Sequence, residues 1–370
     1  MATWGQINVA NIKLYGRRIS YYTGKMGAYL SYKEIDHDFM TLNPSLMKRL
    51  KQETGAAQMP AVELADGRMM TDTTPMIAWL ESEYPEHPIT PPNHAMHFVS
   101  LLIEDYAEEW LWRPAMHYRW SYTKDRLHLG RKIVDELMSD VPTPAFVKRA
   151  IIRRRQHVEY VKKDGVDSNT WDHVESIYLN TLTHLEAIFG QRTFLLGDKP
   201  SAADFGYFAS MFRHFAQDPT ASGIMRLNAP SVFEWQARLW NARASQTQGS
   251  FLEDLPEDMN PIFADISTGY LPYLNDNARA WQQGLSHFDP VIQGVQYRQI
   301  PVSQYRVWCL EQLQAHALHL NSKSSELESL LREKNCWQAL FELDQPESRY
   351  DEASEVPFKG RKVHYHNRRD

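Results

Sequence analysis

Four hydroxyl side chains stand in a row at Ser20-Tyr21-Tyr22-Thr23, in a loop between a short alternating segment and an apolar helical pattern. Further on, Gln58-Met59-Pro60-Ala61-Val62 places a proline directly before a strand pattern, which is compatible with a cis bond. Asp72-Thr73 then brings a carboxylate and a hydroxyl to a helix start. Unpaired N–H groups and the positive dipole end make such a place attractive to an anion, although the same residues also suit a plain cap. Ser201-Ala202-Ala203-Asp204 reads as a reciprocal capping box, structural in character and worth about 1–2 kcal/mol. Glu104 and Glu108 are spaced i, i+4 as metal ligands can be, but no histidine motif accompanies them, so a solvated acidic face is expected. His316 with His319, and His364 with His366, look metal-like only as isolated pairs, and no metal site is expected. Arg153-Arg154-Arg155 reads as a solvated helix face. No Gly-rich phosphate loop or nucleophile-elbow serine is found.

These residues must be held by elements, and the elements change character along the chain. Ile12 to Tyr15 alternates like a half-buried strand and stops at Gly16, Lys25 to Tyr32 has helical spacing, and Ile35 to Met40 alternates again. Asp66-Gly67 joins Ala61–Leu64 to Arg68–Thr71 as a hairpin, and Thr73 to Tyr84 is helical until Pro85 and Pro88. A βαβ unit followed by ββα predicts a small α/β sandwich of the thioredoxin type over residues 11–90. Pro88, Pro91 and Pro92 form a linker, after which residues 94–246 read as an all-helical domain broken at Pro142, Pro144 and Gly165. Within it Trp110, Trp112, His117, Tyr118 and Trp120 fit either core or the lining of a hydrophobic cleft. Residues 247–344 begin with a Pro- and Asp-rich stretch and contain two amphipathic helices, near Ser303–Leu320 and Ser325–Leu343. From Gln345 to the last residue, 370, the chain is charged and nearly free of aliphatics, and a mobile tail is expected.

Composition narrows the classes of function. At 370 residues two or three domains are expected, and 43% apolar residues exclude wholesale disorder. A net charge of −6 argues against a dedicated nucleic-acid binder. No apolar run approaches the ~20 residues that span a bilayer, so no membrane partner is expected. Met1 to Asn11 lacks a secretory pattern, and two cysteines, Cys309 and Cys336, are too few for a disulfide scaffold. A cytoplasmic protein is expected.

In their order the hydroxyl-rich loop from Leu14 to Met26, the Gln58-Met59-Pro60 segment, the run from Asp66-Gly67 to Glu81, and Phe194-Leu195-Leu196-Gly197-Asp198-Lys199-Pro200-Ser201-Ala202-Ala203-Asp204-Phe205 resemble the cytosolic glutathione transferase superfamily. The resemblance covers residues 11–90 and 95–245 and implies an α/β thioredoxin-like domain, an all-helical domain and, here, an unrecognised helical extension. It implies glutathione as co-substrate, a hydrophobic electrophile, and a homodimer. Met59 would pair with the cysteinyl backbone of glutathione as one more strand at a sheet edge, after Pro60 sets the turn. Asp72 and Thr73 would hold its γ-glutamyl end, where the family usually has Glu-Ser, and Gln58 would add a contact. Aligned without a gap, Ser20 matches the catalytic serine of zeta-like transferases and the reactive cysteine of omega-like ones. Tyr21, Tyr22, Thr23 and, less well, Tyr15 remain rival hydroxyls for stabilising the thiolate. Lys48, Arg49 and Lys51 would meet the glycyl carboxylate or simply be solvated, and Asp105 matches a helix whose acidic residue can reach a neighbouring subunit's glutathione. A non-catalytic, metaxin-like use of the same fold is the alternative.

Overall fold

The computed structural model describes residues 12–55, 58–138 and 141–350. Strands β1 (Ile12–Gly16), β2 (His37–Thr41), β3 (Ala61–Glu63) and β4 (Met69–Thr71) form one sheet in the order β2-β1-β3-β4. β1 runs parallel to β2, opposing Leu14 to Phe39, and antiparallel to β3, opposing Leu14 to Val62. A parallel pair needs a crossover, and helix α1 (Tyr21–Tyr32) supplies it. α1 begins at Tyr21 rather than at Lys25, because Ser20 caps it: Ser20 Oγ accepts the Thr23 N–H at 3.4 Å.

The period-2 alternation of a strand sorts the side chains onto two faces. Leu14, Val62 and Met70 join the main core with residues of α1 and of α3 (Thr73–Glu83). Tyr15, Ala61 and Met69 face the other way, onto Leu42 and Leu50. That second layer is α2 (Pro44–Thr54), a helix inside what reads in the sequence as a long connection. Asn43 caps it by accepting the Leu46 N–H, and Gly55 ends it at φ 77°.

The helical half contains α4 (His94–Glu109), α5 (Trp112–Ser121), α6 (Thr123–Leu137), α7 (Ala145–His157), α8 (Trp171–Phe189), α9 (Ala202–Ser210), α10 (Pro219–Asn228) and α11 (Pro230–Asn241). The capping box at the start of α9 is formed, and the Asp204 carboxylate also accepts from Leu195 N–H and Trp235 Nε1. α9 lies directly against α4, where Gly206 permits the approach: a Cβ there would stand 2.7 Å from the Glu104 Cα. On its other side α9 meets α1, so the sheet domain and the helical half share one core.

The third section holds more regular structure than its sequence suggests. α12 (Asn260–Asp265) and α13 (Leu271–Gln282) are joined by a π turn, Ile266–Tyr270. Two short hairpin ladders follow, pairing β5 (His287–Phe288) with β8 (Ile300–Pro301) and β6 (Val291–Ile292) with β7 (Val295–Gln296). α14 (Gln304–Asn321) matches the expected first helix. The expected second one is divided into α15 (Glu326–Glu333) and α16 (Cys336–Leu340), because Asn335 takes a left-handed conformation at φ 57°. Of the segment read as a tail, Glu347 and Ser348 are docked: their carbonyls accept from Trp281 Nε1 and Gln304 Nε2. Residues 351–370 of that reading lie outside the described residues, as do His364 and His366.

The extension packs on α4 through α14 and α15, so α4 lies against both α9 and the extension. Buried polar pairs fix the contact. Arg306 of α14 meets Glu109 at 3.2 Å, and the Tyr270 hydroxyl donates to the Asp105 carboxylate at 2.5 Å. Cys309 and Cys336 are free thiols, both buried. Among the described residues no helix is long and apolar enough to cross a membrane.

Candidate functional site

Two adjoining hollows lie where the sheet domain meets the helical half and the extension. The larger is a cleft of about 360 Å³ lined by Ser20, Tyr21, Tyr22, Gln58 and Met59 from the sheet domain. Trp112, Met116 and Trp120 of α5, Tyr160 and His214 form its helical wall. The smaller is a notch of about 30 Å³ lined by Tyr22, Gln58, Met59, Pro60, Asp72, Thr73 and Tyr305. Tyr22, Gln58 and Met59 belong to both. Ser20, Gln58, Met59, Pro60, Asp72 and Thr73, far apart in sequence, therefore line two hollows that share a wall.

Local structure explains each position. Ser20 sits at the N-cap of α1 with an extended backbone (φ −77°, ψ 132°), and its oxygen is an acceptor for the helix. The hydroxyl hydrogen remains available to donate, next to the positive end of the helix. The Met59–Pro60 bond is cis, as the proline before the strand allows. Asp72 caps α3 from φ 73°, ψ 119°, a conformation that costs energy for a residue with a side chain. Its Oδ1 accepts from Thr74 N–H at 3.4 Å and from the Tyr305 hydroxyl at 3.3 Å. Asp72 thus combines the cap and the pocket wall, which the sequence poses as alternatives.

The rival hydroxyls have different surroundings. Tyr15 lies on the opposite face of the sheet and donates to Glu63 at 2.5 Å. Burial and this carboxylate push its ionisation up to about 12. Tyr21 lines the cleft with its ring, but its hydroxyl donates to the carbonyls of Ala107 and Glu108, each at 3.1 Å. Tyr22 lies against Trp112, ring centroids 6.3 Å apart and nearly parallel. Thr23 is buried behind the loop against Gly16. Arg49 pairs with Glu53 and Glu63, whereas Lys48 and Lys51 are exposed. Of the five α4–α5 residues read as core or cleft, Trp112 and Trp120 line the cleft. Trp110 packs on Tyr106, Tyr270 and Tyr273, and His117 and Tyr118 pack with Tyr122.

Beneath the start of α3 lies a charge cluster that corrects one sequence expectation. Glu104 and Glu108 are not a solvated face. Each is only 4% exposed, and both turn toward Lys25 of α1, at 2.5 Å and 2.7 Å. Spacing alone cannot reveal this, because the partner cation is far away in sequence. Burial disfavours the Lys25 charge, but Glu104 and Glu108 outweigh it and hold the ammonium above its ordinary range. Burial pushes Glu108 up to about 8, against the pull of Lys25. The Thr74 hydroxyl donates to Glu108 at 3.2 Å, tying the cluster to the α3 N-terminus. Negative charge around Asp72 beside a helix N-terminus offers places for an ammonium and a carboxylate together.

Two contributors carry no signal in the sequence. His214 enters the cleft from the π turn after α9, edge-on to Tyr21 at 5.1 Å. Burial and the nearby Arg119 hold it well below the usual imidazole range, hence neutral. Its Nδ1 and the Gln58 Oε1 are buried without a hydrogen-bond partner among the described residues, as polar atoms facing a ligand site are. Tyr305 comes from the extension, 233 residues away from Asp72.

The comparisons with known proteins fit this architecture. Residues 14–88 match the family model of the glutathione S-transferase N-terminal domain, and residues 168–235 match that of the glutathione S-transferase C-terminal domain. Among curated proteins none matches. Three similar solved structures illustrate the likeness. A glutathione S-transferase from Rhodospirillum rubrum F11 is 16% identical over 66% of this chain and 96% of its own, with a TM-score of 0.38. A beta-etherase from Sphingobium sp. strain SYK-6 is 17% identical over 63% and 96%, with a TM-score of 0.44. A glutathione S-transferase of Ceriporiopsis subvermispora, in complex with glutathione, is 14% identical over 62% and 98%, with a TM-score of 0.43. With a thioredoxin-like sheet leading into a helical half, residues 14–88 and 168–235 carry the N- and C-terminal domains of the glutathione S-transferase family in that order, and the chain adds a section that neither family model covers.

Proposed function

We propose that this chain activates the glutathione thiolate for attack on a hydrophobic electrophile. Asp72 and Thr73 would receive the γ-glutamyl end, Met59 the cysteinyl backbone, and Gln58 a further polar contact. Ser20 would donate to the thiolate. A free thiol with a pKa near ~8.5 is only a few per cent ionised at pH 7, and lowering it by ~2 units takes about 2.7 kcal/mol. One hydroxyl donor beside a helix N-terminus is of the right order for this. The electrophile would lie against Trp112, Met116, Trp120 and Tyr160. The observation that carries the reading is that the two hollows share the wall Tyr22, Gln58 and Met59, and that Ser20 lines the aromatic-walled one. Conjugation, isomerisation, dehalogenation and ether cleavage all use that thiolate. The reading includes a cytoplasmic homodimer, tested by sedimentation.

One observation favours the second reading, a transferase fold used for interaction without turnover. The notch at Asp72 is only about 30 Å³, and Tyr305 forms part of its wall with its hydroxyl on the Asp72 carboxylate. A γ-glutamyl group needs Tyr305 to swing aside. Calorimetric titration of the intact protein with reduced glutathione, alone and as Tyr305→Ala, separates the cases. Binding weakened by Thr73→Ala supports the site, and tighter binding to Tyr305→Ala identifies Tyr305 as a competitor. No heat from either protein up to millimolar glutathione would overturn the glutathione reading.

A further inference from the structure

A further hollow lies elsewhere: a cavity of about 590 Å³ between the interdomain linker, the 244–253 loop and the C-terminal end of α14. None of the candidate glutathione residues lines it. Its size falls within the range of small-molecule sites.

The walls are fixed by the fold. On one side Lys33, buried and paired with Glu81 at 2.8 Å, donates to the carbonyls of Tyr84, Glu86 and His87 and sets the linker's course. On another, the loop carrying Ser250 and Phe251 is pinned to the 196–198 segment by Asp198 N–H to Ser250 O and Leu252 N–H to Leu196 O. Gly249 allows this approach, since a Cβ there would meet the Asp198 side chain at 2.4 Å. Ser245 is tied to the end of α1 through the Glu34 carboxylate, at 2.7 Å and 2.9 Å. A site bounded this way is formed before any ligand arrives, which limits the entropy lost on binding.

Its chemistry is one-sided. Lys199 and Lys323 line it, with His87, His94, His97 and His319, against a single lining carboxylate, Glu253. Neither lysine is in an ion pair among the described residues. Burial first, and then His316, His94, Lys323 and His319, push His97 down to about 4. Tyr32, Phe251 and Leu320 give the same cavity an apolar surface. On a chain of net charge −6, a pocket with two lysines and an aromatic lining is a local exception rather than a general property of the surface.

We propose that this cavity binds an organic anion with an aromatic body, the anionic group held by Lys199 and Lys323 and the ring system by the apolar wall. An inorganic anion leaves most of the volume and the apolar surface unused. Because α14 supplies His319 and Leu320 and the turn after it supplies Lys323, the site exists only when the extension is docked.

Fluorescence titration of the intact protein tests it with 8-anilinonaphthalene-1-sulfonate and its uncharged relative N-phenyl-1-naphthylamine. The sulfonate is expected to bind about tenfold tighter, and Lys199→Glu with Lys323→Glu to lower its affinity about tenfold while leaving the neutral amine within about twofold. Far-UV circular dichroism checks the fold, and the milder single change Lys323→Gln is expected to cost the sulfonate about threefold. Equal affinity for the two probes, an unchanged sulfonate affinity in the charge-reversed protein, or loss of the sulfonate on Trp112→Ala instead would overturn the proposal.

Discussion

At the scale of single residues, the contrast between Ser20 and Tyr15 is sharpest. Ser20 opens into the aromatic cleft, whereas Tyr15 gives its proton to Glu63 behind the sheet. Ser20→Ala is expected to lower kcat/KM about a hundredfold, the equivalent of about 2.7 kcal/mol, with little change in glutathione affinity. The pKa of bound glutathione, read from thiolate ultraviolet absorbance, should rise by about two units, moving the pH–rate profile upward with it. Tyr15→Phe should leave both unchanged. An unaltered bound-thiol pKa in Ser20→Ala would remove Ser20 from the chemistry and point to Tyr22, whose ring lies in the same cleft. The residues around the cleft were legible because each belongs to a short local pattern: hydroxyls before a helix, a proline before a strand, an acid at a cap. His214 and Tyr305 have no such pattern. They reach the site only through packing between distant segments.

At the scale of elements, local signals located most of the first ninety residues, and their failures are instructive. α1 begins early because the cap lies at Ser20, and the aromatic pair Tyr21-Tyr22 reads as loop when judged by apolar spacing alone. α2 hides in a basic stretch, where only Leu42, Leu46, Met47 and Leu50 mark the face that meets the sheet. α12 and α13 carry Pro261 and Pro272 in their first turns, residues that suit a helix start as well as a break. α4 shows the strongest tertiary override, since its acids are buried between α1 and the extension. Asp105 on this helix is pushed up to about 7 by burial, then eased by the Tyr270 hydroxyl and raised again by Glu109. Cys309 and Glu104 also face it. Its folded pKa exceeds its ordinary value of 3.8, so the folded state binds the extra proton between those limits. The stability due to this group is therefore full below about pH 4 and is lost as pH rises to about 7, at no more than about 1.4 kcal/mol per pH unit. Asp105→Asn should flatten that part of the Tm-against-pH curve between about pH 4 and pH 7. A curve parallel to that of the parent would show that Asp105 ionises as freely in the fold as outside it.

At the scale of the whole molecule, the extension is an integral wall rather than an appendage. It packs on α4, contributes Tyr305 to the notch at Asp72, and supplies one side of the cationic cavity. Its docking rests on burial together with a few internal ion pairs and hydrogen bonds, and the Arg306–Glu109 pair is the most exacting of these. Both side chains are almost fully buried. The Arg306 guanidinium also receives the Tyr273 hydroxyl oxygen as an acceptor at 2.8 Å. Removing only the cation leaves Glu109 in a low-dielectric interior beside Asp72, where a lone carboxylate is costly. Arg306→Ala is therefore expected to destabilise the fold by about 3–5 kcal/mol, and adding Glu109→Gln should recover part of that loss. Urea unfolding followed by tryptophan fluorescence measures both. If the extension unfolds as a separate unit, the single variant will show two transitions, and the first will abolish binding in the cationic cavity while leaving the Ser20 cleft intact. If α4 couples all three sections, as its position between α9 and α14 implies, one transition will shift as a whole. A loss below about 1 kcal/mol would mean that water reaches Glu109 as soon as the arginine is gone, and that the extension is held by its apolar contacts alone.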